Sequence, residues 1–513
     1  MLVRTCVLVV CLVTAGGCVK RLHRTLVPPD RAETLDREAP WLKVHMADGR
    51  LWRLSPWSVD DEARRVNGEG TLFAADRSEL RSGPAEIPLD SVALFETNVV
   101  RPSPTVAALG IVTGITAGVA VYCAANPKAC FGSCPTFYVT DGSGEILQAE
   151  GFSASIAPAL EATDVDALYR ARPSGREVRV RMANEAYETH VVRHADLLAV
   201  PRPPGRRVLA DPAGTFWVTS APAAPARCAA PEGSCAAALA AFDGRERWSD
   251  ADSTDLGARE VLDLAFPPVP GGRPALAVAS RQSLLPTFLL YQGLAWLGTR
   301  VGDWMAALGR PGGPSLDAAR SVADALGGID VLVRDPAGAW DSVATIRETG
   351  PLAADLRLVP LPLPDDGDSV RVRLRMARGA WRLDQVGLVA REREARPLRI
   401  RPAEALSAGS PDTAALAELV DEARTLVTFP GDAYTLVYRL PRDAAGYELF
   451  LESRGYYLEW MRQEWIREED GLRAAGLLLD PEGALRRLAP AYKRAEPGLE
   501  DAFWRSKYAG FRR

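Results

Sequence analysis

The sequence predicts a β-rich α+β protein built from several units. Three observations carry that expectation. Short apolar–polar alternations recur along most of the chain; in Arg371-Val372-Arg373-Leu374-Arg375-Met376 the apolar and the basic residues take opposite faces of a strand. Turn dipeptides such as Asp48-Gly49 separate such stretches, since Asp-Gly supplies the positive φ of a tight hairpin. An uncharged run from Pro102 to Pro127 then divides a short β unit from a longer series of them. A chain of 513 residues predicts roughly three to four domains. Its 47 % hydrophobic and 25 % charged fractions are ordinary for globular protein.

Residues 1–17 have the layout of a secretory signal: a positive Arg4, an apolar stretch from Thr5 to Ala15, and small residues leading to Cys18. This resembles the signal of bacterial lipoproteins, in which the chain is cut before a cysteine that then carries lipid. The resemblance implies cleavage between Gly17 and Cys18, lipidation of Cys18, and a membrane partner reached through acyl chains. With Val19 rather than Asp next, it also implies an outer-membrane destination. Residues 18–40 read as a polar tether.

Residues 41–100 read as a small β unit, barrel-like or a curled sheet. LKVHM, Asp48-Gly49 and RLWRL form one hairpin; a second turns at Asn67-Gly68. The segment 102–127 is long enough to span a bilayer as a helix, which takes about 20 apolar residues. Gly110, Gly114 and Gly118 give it one small face on which another helix could pack closely. It is either a membrane-inserted element or a buried apolar helix.

Residues 128–200 read as a β-hairpin unit turning at Asp141 to Gly144, followed by a helix over 157–169 with acids on one side and a return to strand. Residues 208–310 form a mixed unit that ends in an apolar helix, Leu284 to Leu308. Arg300 and Asp303 interrupt that segment, which predicts a buried or interface helix and not a span. Residues 328–391 carry the clearest strand alternation and resemble jelly-roll β-sandwiches of the galactose-binding type; that resemblance implies Trp340 and Trp381 as stacking residues for a glycan. Residues 412–513 read as an α+β unit: a helix over DTAALAELVDEARTLV, two strands, and helix again.

Cys6 and Cys11 depart with the signal. In an oxidising envelope the remaining thiols predict disulfides. Cys228 and Cys235, which close CAAPEGSC, are the first candidate pair, and Cys130 with Cys134 the second; Cys123 is left over.

No G-x-S-x-G elbow, H-E-x-x-H, C-x-x-C or G-x-G-x-x-G occurs, so neither catalytic residues nor a cofactor is expected. His190 and His194 lie four apart, but Val191 and Val192 favour strand, where such positions stand about 13 Å apart; they read as two edge histidines on a polar strand face, with no metal. Asp250, Asp252 and Asp255 miss the calcium-loop pattern at its fifth, sixth and twelfth positions. Carboxylate pairs of glycosidases are close in space and not in sequence, so they leave no signature here. A net charge of −5 without a clustered basic face excludes nucleic acid as a partner.

Cys134-Pro135-Thr136-Phe137-Tyr138 and Glu188-Thr189-His190 resemble segments of long bacterial envelope lipoproteins of uncharacterised activity. The resemblance implies a lipid-anchored protein of the cell envelope. On this reading the chain is a non-catalytic scaffold that meets another envelope protein. The alternatives are a glycan-binding lipoprotein and a hydrolase with an acidic pair.

Overall fold

A computed structural model describes residues 20–74, 79–102, 134–141, 144–170, 173, 175–186, 188–269, 271–308, 314–335, 337–347, 350–362, 369–460 and 468–500. Cys18, Gly110, Gly114, Gly118 and Cys130 lie outside the described residues, as does most of the 102–127 run. The chain divides into two units, the first ending at Gly118.

The first unit is one antiparallel sheet. Its strands are β1 (Lys20–Val27), β2 (Leu42–Met46), β3 (Leu51–Asp60), β4 (Arg65–Phe73), β5 (Glu79–Pro88) and β6 (Val92–Pro102), in the order β1-β6-β2-β3-β4-β5. Leu42, Val44, Leu54, Val66 and Phe95 form its dry core. The small β unit is therefore present, but with an open strand order; the closed barrel of this protein lies in the second unit. The Asp48-Gly49 hairpin forms as expected, with Gly49 at φ 84° and its N–H donating to the Met46 carbonyl at 2.9 Å.

Two expectations fail here. The polar tether of residues 18–40 contains β1, which pairs along its length with β6. Its partner lies some 75 residues away in sequence, so nothing local announces it. Asn67-Gly68 is no turn: both residues lie inside β4, and the chain reverses at 61–64. A Cβ on Gly68 would stand 2.8 Å from the Pro56 carbonyl oxygen, and one on Gly70 only 1.9 Å from that of Arg53. The glycines serve close approach of two strands, and not a positive φ.

The second unit begins with β7 (Thr136–Asp141), β8 (Gly144–Glu150), β9 (Ala162–Ala167), β10 (Glu177–Ala183) and β11 (Glu188–Pro201). The strands β12 (Arg207–Ala210), β13 (Phe216–Thr219), β14 (Arg227–Ala230), β15 (Gly233–Ser234), β16 (Arg259–Phe266) and β17 (Arg273–Gln282) follow. Helices α1 (Leu285–Leu297), α2 (Val301–Leu308) and α3 (Pro314–Leu326) come next. Then come β18 (Ile329–Arg334), β19 (Trp340–Ile346), β20 (Asp355–Pro360), β21 (Val370–Ala377), β22 (Trp381–Ala395), β23 (Leu398–Ile400), β24 (Glu404–Ser407) and β25 (Ser410–Pro411). The chain closes with α4 (Thr413–Val420), β26 (Leu426–Thr428), β27 (Ala433–Arg439), β28 (Tyr447–Glu459), α5 (Gly471–Leu479) and α6 (Pro481–Ala495).

These strands make three sheets and a barrel. One sheet runs β25-β24-β27-β10-β7-β8, a second β23-β11-β28-β9 with β26 added to β11, and a third β15-β14-β16-β21-β18-β19. The closed barrel is β12-β13-β22-β17-β20. From Leu197 to Val200, the second sheet packs apolar side chains of β11 on both of its faces. Ala195, Leu197 and Ala199 of β11 pack with Phe137, Val180 and Leu436 of the first sheet. Leu198 and Val200, pointing the other way, pack with Val208, Val218 and Ala277 of the barrel. A strand buried on both sides carries no alternation, which explains the continuous run ADLLAV in β11.

The expected units 128–200, 208–310, 328–391 and 412–513 are thus not separate. β10 pairs with β27 and β11 with β28, while β13 and β17 pair with β22. The stretch 328–391, expected to close on itself as a sandwich, sends β20 and β22 to the barrel and β18, β19 and β21 to the third sheet. Alternation gives a strand its two faces but not its neighbours.

Local readings fail in two further places. The helix expected over 157–169 is a single 3-10 turn, Pro158–Leu160, followed by β9. Thr163 and Val165 favour strand, and pairing with β28 outweighs the weak helical pattern. The helix expected from Asp412 stops at Val420. Asp412 caps it, accepting from the Ala415 N–H at 2.9 Å; the expected second half is a turn over 421–425 that leads into β26. The apolar segment from Leu284 is helical as expected, broken at Gly298 where φ is 52°. No helix among the described residues is long and apolar enough to cross a membrane.

Candidate ligand-binding site

α1 starts where the Ser283 hydroxyl accepts the Leu285 N–H at 3.0 Å, with Pro286 in the first turn. Leu285, Leu289, Tyr291, Leu294 and Trp296 are all buried, so the helix is apolar around most of its circumference. It stands beside α3 and α5 over one end of the first and second sheets. These elements enclose a cavity of about 410 Å3, within the 300–1,000 Å3 usual for small-molecule sites. Leu289, Leu290 and Leu294 of α1, Leu326 of α3, and Leu477 and Leu478 of α5 line it.

The ionisable side chains on this wall fall into two groups, with Ser153, Gln282, Thr287 and Trp304 adding neutral polar atoms. The inner group is Cys134, Glu150, Tyr291 and Tyr457. Glu150 ends β8 and is buried. Its Oε2 accepts the Leu352 N–H at 2.8 Å, and the Cys134 Sγ donates to its Oε1 at 3.2 Å. The Tyr291 hydroxyl donates to Glu459 Oε1 at 2.5 Å, and the Tyr457 hydroxyl donates to the Ser153 carbonyl at 3.0 Å. Burial pushes the Tyr457 hydroxyl well above its usual range, with the charges of Cys134, Glu188 and Glu459 adding to it. It stays a neutral donor.

The outer group is Arg320 on α3 and Arg347 just after β19. Their side chains are 61 % and 69 % exposed, which puts them at the mouth. Arg347 reaches Asp324 on α3 at 2.9 Å, one helical turn from Arg320, so both guanidinium groups occupy one stretch of rim.

Behind the inner group lies a buried polar strip across β11 and β28, where Glu188 faces Glu459 and His190 faces Tyr457. His190 is buried and its Nε2 lies 3.0 Å from Glu188 Oε2, the geometry of an ion pair. Burial nevertheless lowers the imidazole to about pKa 3, so the contact is a hydrogen bond from a neutral ring. His190 Nδ1 makes no hydrogen bond among the described residues.

The expectation of two edge histidines on a polar strand face fails. β11 is an inner strand, and the register shifts between Val192 and His194. This bulge turns His194 to the face opposite His190. There it joins Asp196 and Glu452, whose ligand atoms lie within 4.8 Å of one another. A cation already serves that trio: Arg399 donates to Asp196 at 3.1 Å and pairs with Glu452 at 2.5 Å.

Carboxylates gather once more, at Asp164, Asp166 and Asp355 around Arg357. Burial pushes Asp166 well above the carboxylate range, and Asp164 and Asp355 add repulsion. Asp166 and Asp355 are buried in packed strands, while Asp164 and Arg357 are partly exposed and pair with each other.

The other sequence candidates fall as follows. Cys228 and Cys235 form a disulfide across the β14–β15 hairpin, with Cα atoms 5.0 Å apart. Cys134 is buried at the cavity, while Cys130 lies outside the described residues. Trp381 is 2 % exposed and belongs to the core, so its ring offers no face to a glycan. Trp340 lies on edge strand β19, with the Arg373 guanidinium 4.2 Å over its ring. The two tryptophans do not come together in one site. Sequence reasoning missed Glu150, Tyr457, Arg320 and Arg347. The one usable signal was the apolar helix from Leu284, which marks a large buried surface without saying that a chamber adjoins it.

No protein-family model matches this chain, and no curated protein does. Among solved structures it is similar to the crystal structure of the GH31 alpha-xylosidase from Xanthomonas citri, at 10 % sequence identity. That alignment covers 89 % of this chain and 40 % of the xylosidase, with a TM-score of 0.15. The present chain spans well under half of the xylosidase's length, and a TM-score so low carries no argument for a shared fold or activity.

Proposed function

We propose that this chain is a lipid-anchored protein of the bacterial cell envelope that works by binding and not by turnover, with the cavity beside α1 as its ligand site. The cavity is the observation that carries the reading: a chamber of about 410 Å3 walled by leucines from three helices. Such a site suits an apolar or amphipathic small molecule. The anchor rests on the signal-like layout before Cys18, and the outer membrane on Val19. Membrane proximity also suits α5, whose Leu472 and Leu479 are strongly exposed, seven residues apart on one face.

Two experiments test this. A Cys18→Ser chain, exported through an ordinary signal, is fractionated and washed with alkaline carbonate. Release of this variant with retention of the wild type supports the anchor; equal behaviour of both counts against it. For the cavity, the full chain is titrated with N-phenyl-1-naphthylamine, a neutral apolar fluorophore. Saturable binding that falls at least tenfold in Leu290→Trp, which fills the chamber from a partly exposed wall position, supports the site. Binding absent in the wild type, or unchanged in Leu290→Trp, removes it.

A further inference from the structure

The polar ends of the cavity are not equivalent, and their difference names a ligand class. The inner groups are committed to the protein. Tyr291 donates to Glu459, Tyr457 to Ser153, and Glu150 accepts from Leu352 and Cys134. An incoming polar head would have to displace these bonds, and Glu150 would repel an anion. The outer end differs. Arg320 and Arg347 line the mouth, while their exposed partners Asp317 and Asp324 do not. Exposed pairs of that kind are weak and exchange readily. Beyond Glu150, the charged side chains on the wall are these two arginines.

We infer that the cavity takes an anionic amphiphile, with its acyl chain in the leucine-lined chamber and its carboxylate or phosphate head between Arg320 and Arg347 at the mouth. The inference rests on the binding role given to the cavity above. Guanidinium groups pair with either head through two parallel N–H donors. Each methylene drawn into the chamber adds about fourfold in affinity until the chamber is full.

The test is calorimetric titration of the full chain, first stripped of bound amphiphile on a hydrophobic resin. The ligands share one chain length: dodecanoate, dodecyl phosphate, dodecanol and dodecylammonium. The expected order places both anions about five- to thirtyfold tighter than dodecanol, and dodecylammonium weakest. Dodecanoate against dodecyl phosphate decides between a carboxylate and a phosphate source. In Arg320→Gln/Arg347→Gln the advantage of the anions over dodecanol collapses while dodecanol itself binds as before. In the wild type that advantage shrinks as salt rises from 0.05 to 0.5 M, roughly the range over which exposed charges become screened. Both arginines are exposed, so the double variant leaves the core intact. Equal binding of all four ligands, or an advantage that survives the double variant, overturns the anionic head and leaves the cavity reading standing. No binding of any of them, with Leu290→Trp making no difference, overturns the cavity reading itself.

Discussion

Arg247 gives the sharpest prediction about what holds the second unit together. Its guanidinium meets Glu260 through two contacts of 2.7 Å and Glu232 through two of 2.8 Å. Its backbone exchanges hydrogen bonds with Leu383 of β22, at 2.7 and 2.9 Å. One residue therefore ties the loop before β16 to both the third sheet and the barrel. Burial alone would lower its pKa, but the hydrogen bonds it donates to Glu260 and Glu232 more than reverse this. Glu260 is buried, while Glu232 is half exposed and can turn to water. Arg247→Met keeps the side-chain length and removes the charge. It strands the Glu260 carboxylate, with the Ser249 hydroxyl at 2.7 Å as its remaining donor. Stranding a buried charge in this way costs about 3–5 kcal/mol.

A chain of two units need not unfold in one step, so a local readout is required. Hydrogen exchange in peptides covering β16 and β22 supplies it. The expected loss of protection is roughly a hundred- to several-thousandfold, since 1.4 kcal/mol is tenfold. Arg247→Met/Glu260→Met should recover most of the lost protection, because it removes the stranded charge with its partner. A loss below about fivefold, or a double variant no better protected than Arg247→Met alone, would refute the reasoning.

Three further outcomes follow from the geometry. Burial holds His190 neutral down to about pH 3, whereas an unfolded histidine takes its proton near 6.5; its contribution is complete above pH 6.5 and is lost as pH falls from there toward 3. His190→Gln should therefore flatten the stability–pH slope by up to about 1.4 kcal/mol per pH unit in that window, and an NMR titration of the His190 ring with a midpoint near 6.5 would sink the claim. Replacing Cys228 and Cys235 by serine should cost about 2–3 kcal/mol by loop entropy for a separation of seven residues, read as lost exchange protection in β14; a change under 0.5 kcal/mol would contradict it. Trp381→Ala should cost about 3–5 kcal/mol through the cavity it leaves, measured by thermal unfolding, and an unchanged midpoint together with lost glycan binding would restore that residue to a ligand site.

Several features were legible in the residues alone. Val372, Leu374 and Met376 are buried on one face of β21, as the alternation requires. The apolar segment from Leu284 forms α1, with Phe288, Tyr291, Leu294 and Ala295 buried as their helical spacing requires. Cys228 and Cys235 pair because seven residues allow little else once the hairpin forms. Of the candidate site, only the helix that forms one wall could be read. Glu150 and Arg347 lie at the ends of local hairpins, and Tyr457 lies on a strand whose partners β11 and β9 are distant in sequence; separate sheets bring the three to one wall, so no spacing rule connects them.

Sequence by itself determined the β-rich class, the faces of individual strands, the buried helix and the one short disulfide loop. Each follows from interactions within about ten residues: alternation, turn chemistry, helical period, loop closure. Tertiary structure alone decided which strands meet. Glu188 faces Glu459 and Arg207 pairs with Glu448 across more than 200 residues, and a single bulge after Val192 sends two histidines to opposite faces. The cavity belongs to the same class of fact. It is the space left where α1, α3 and α5 fail to fill the end of two sheets, and a void has no residue of its own to announce it.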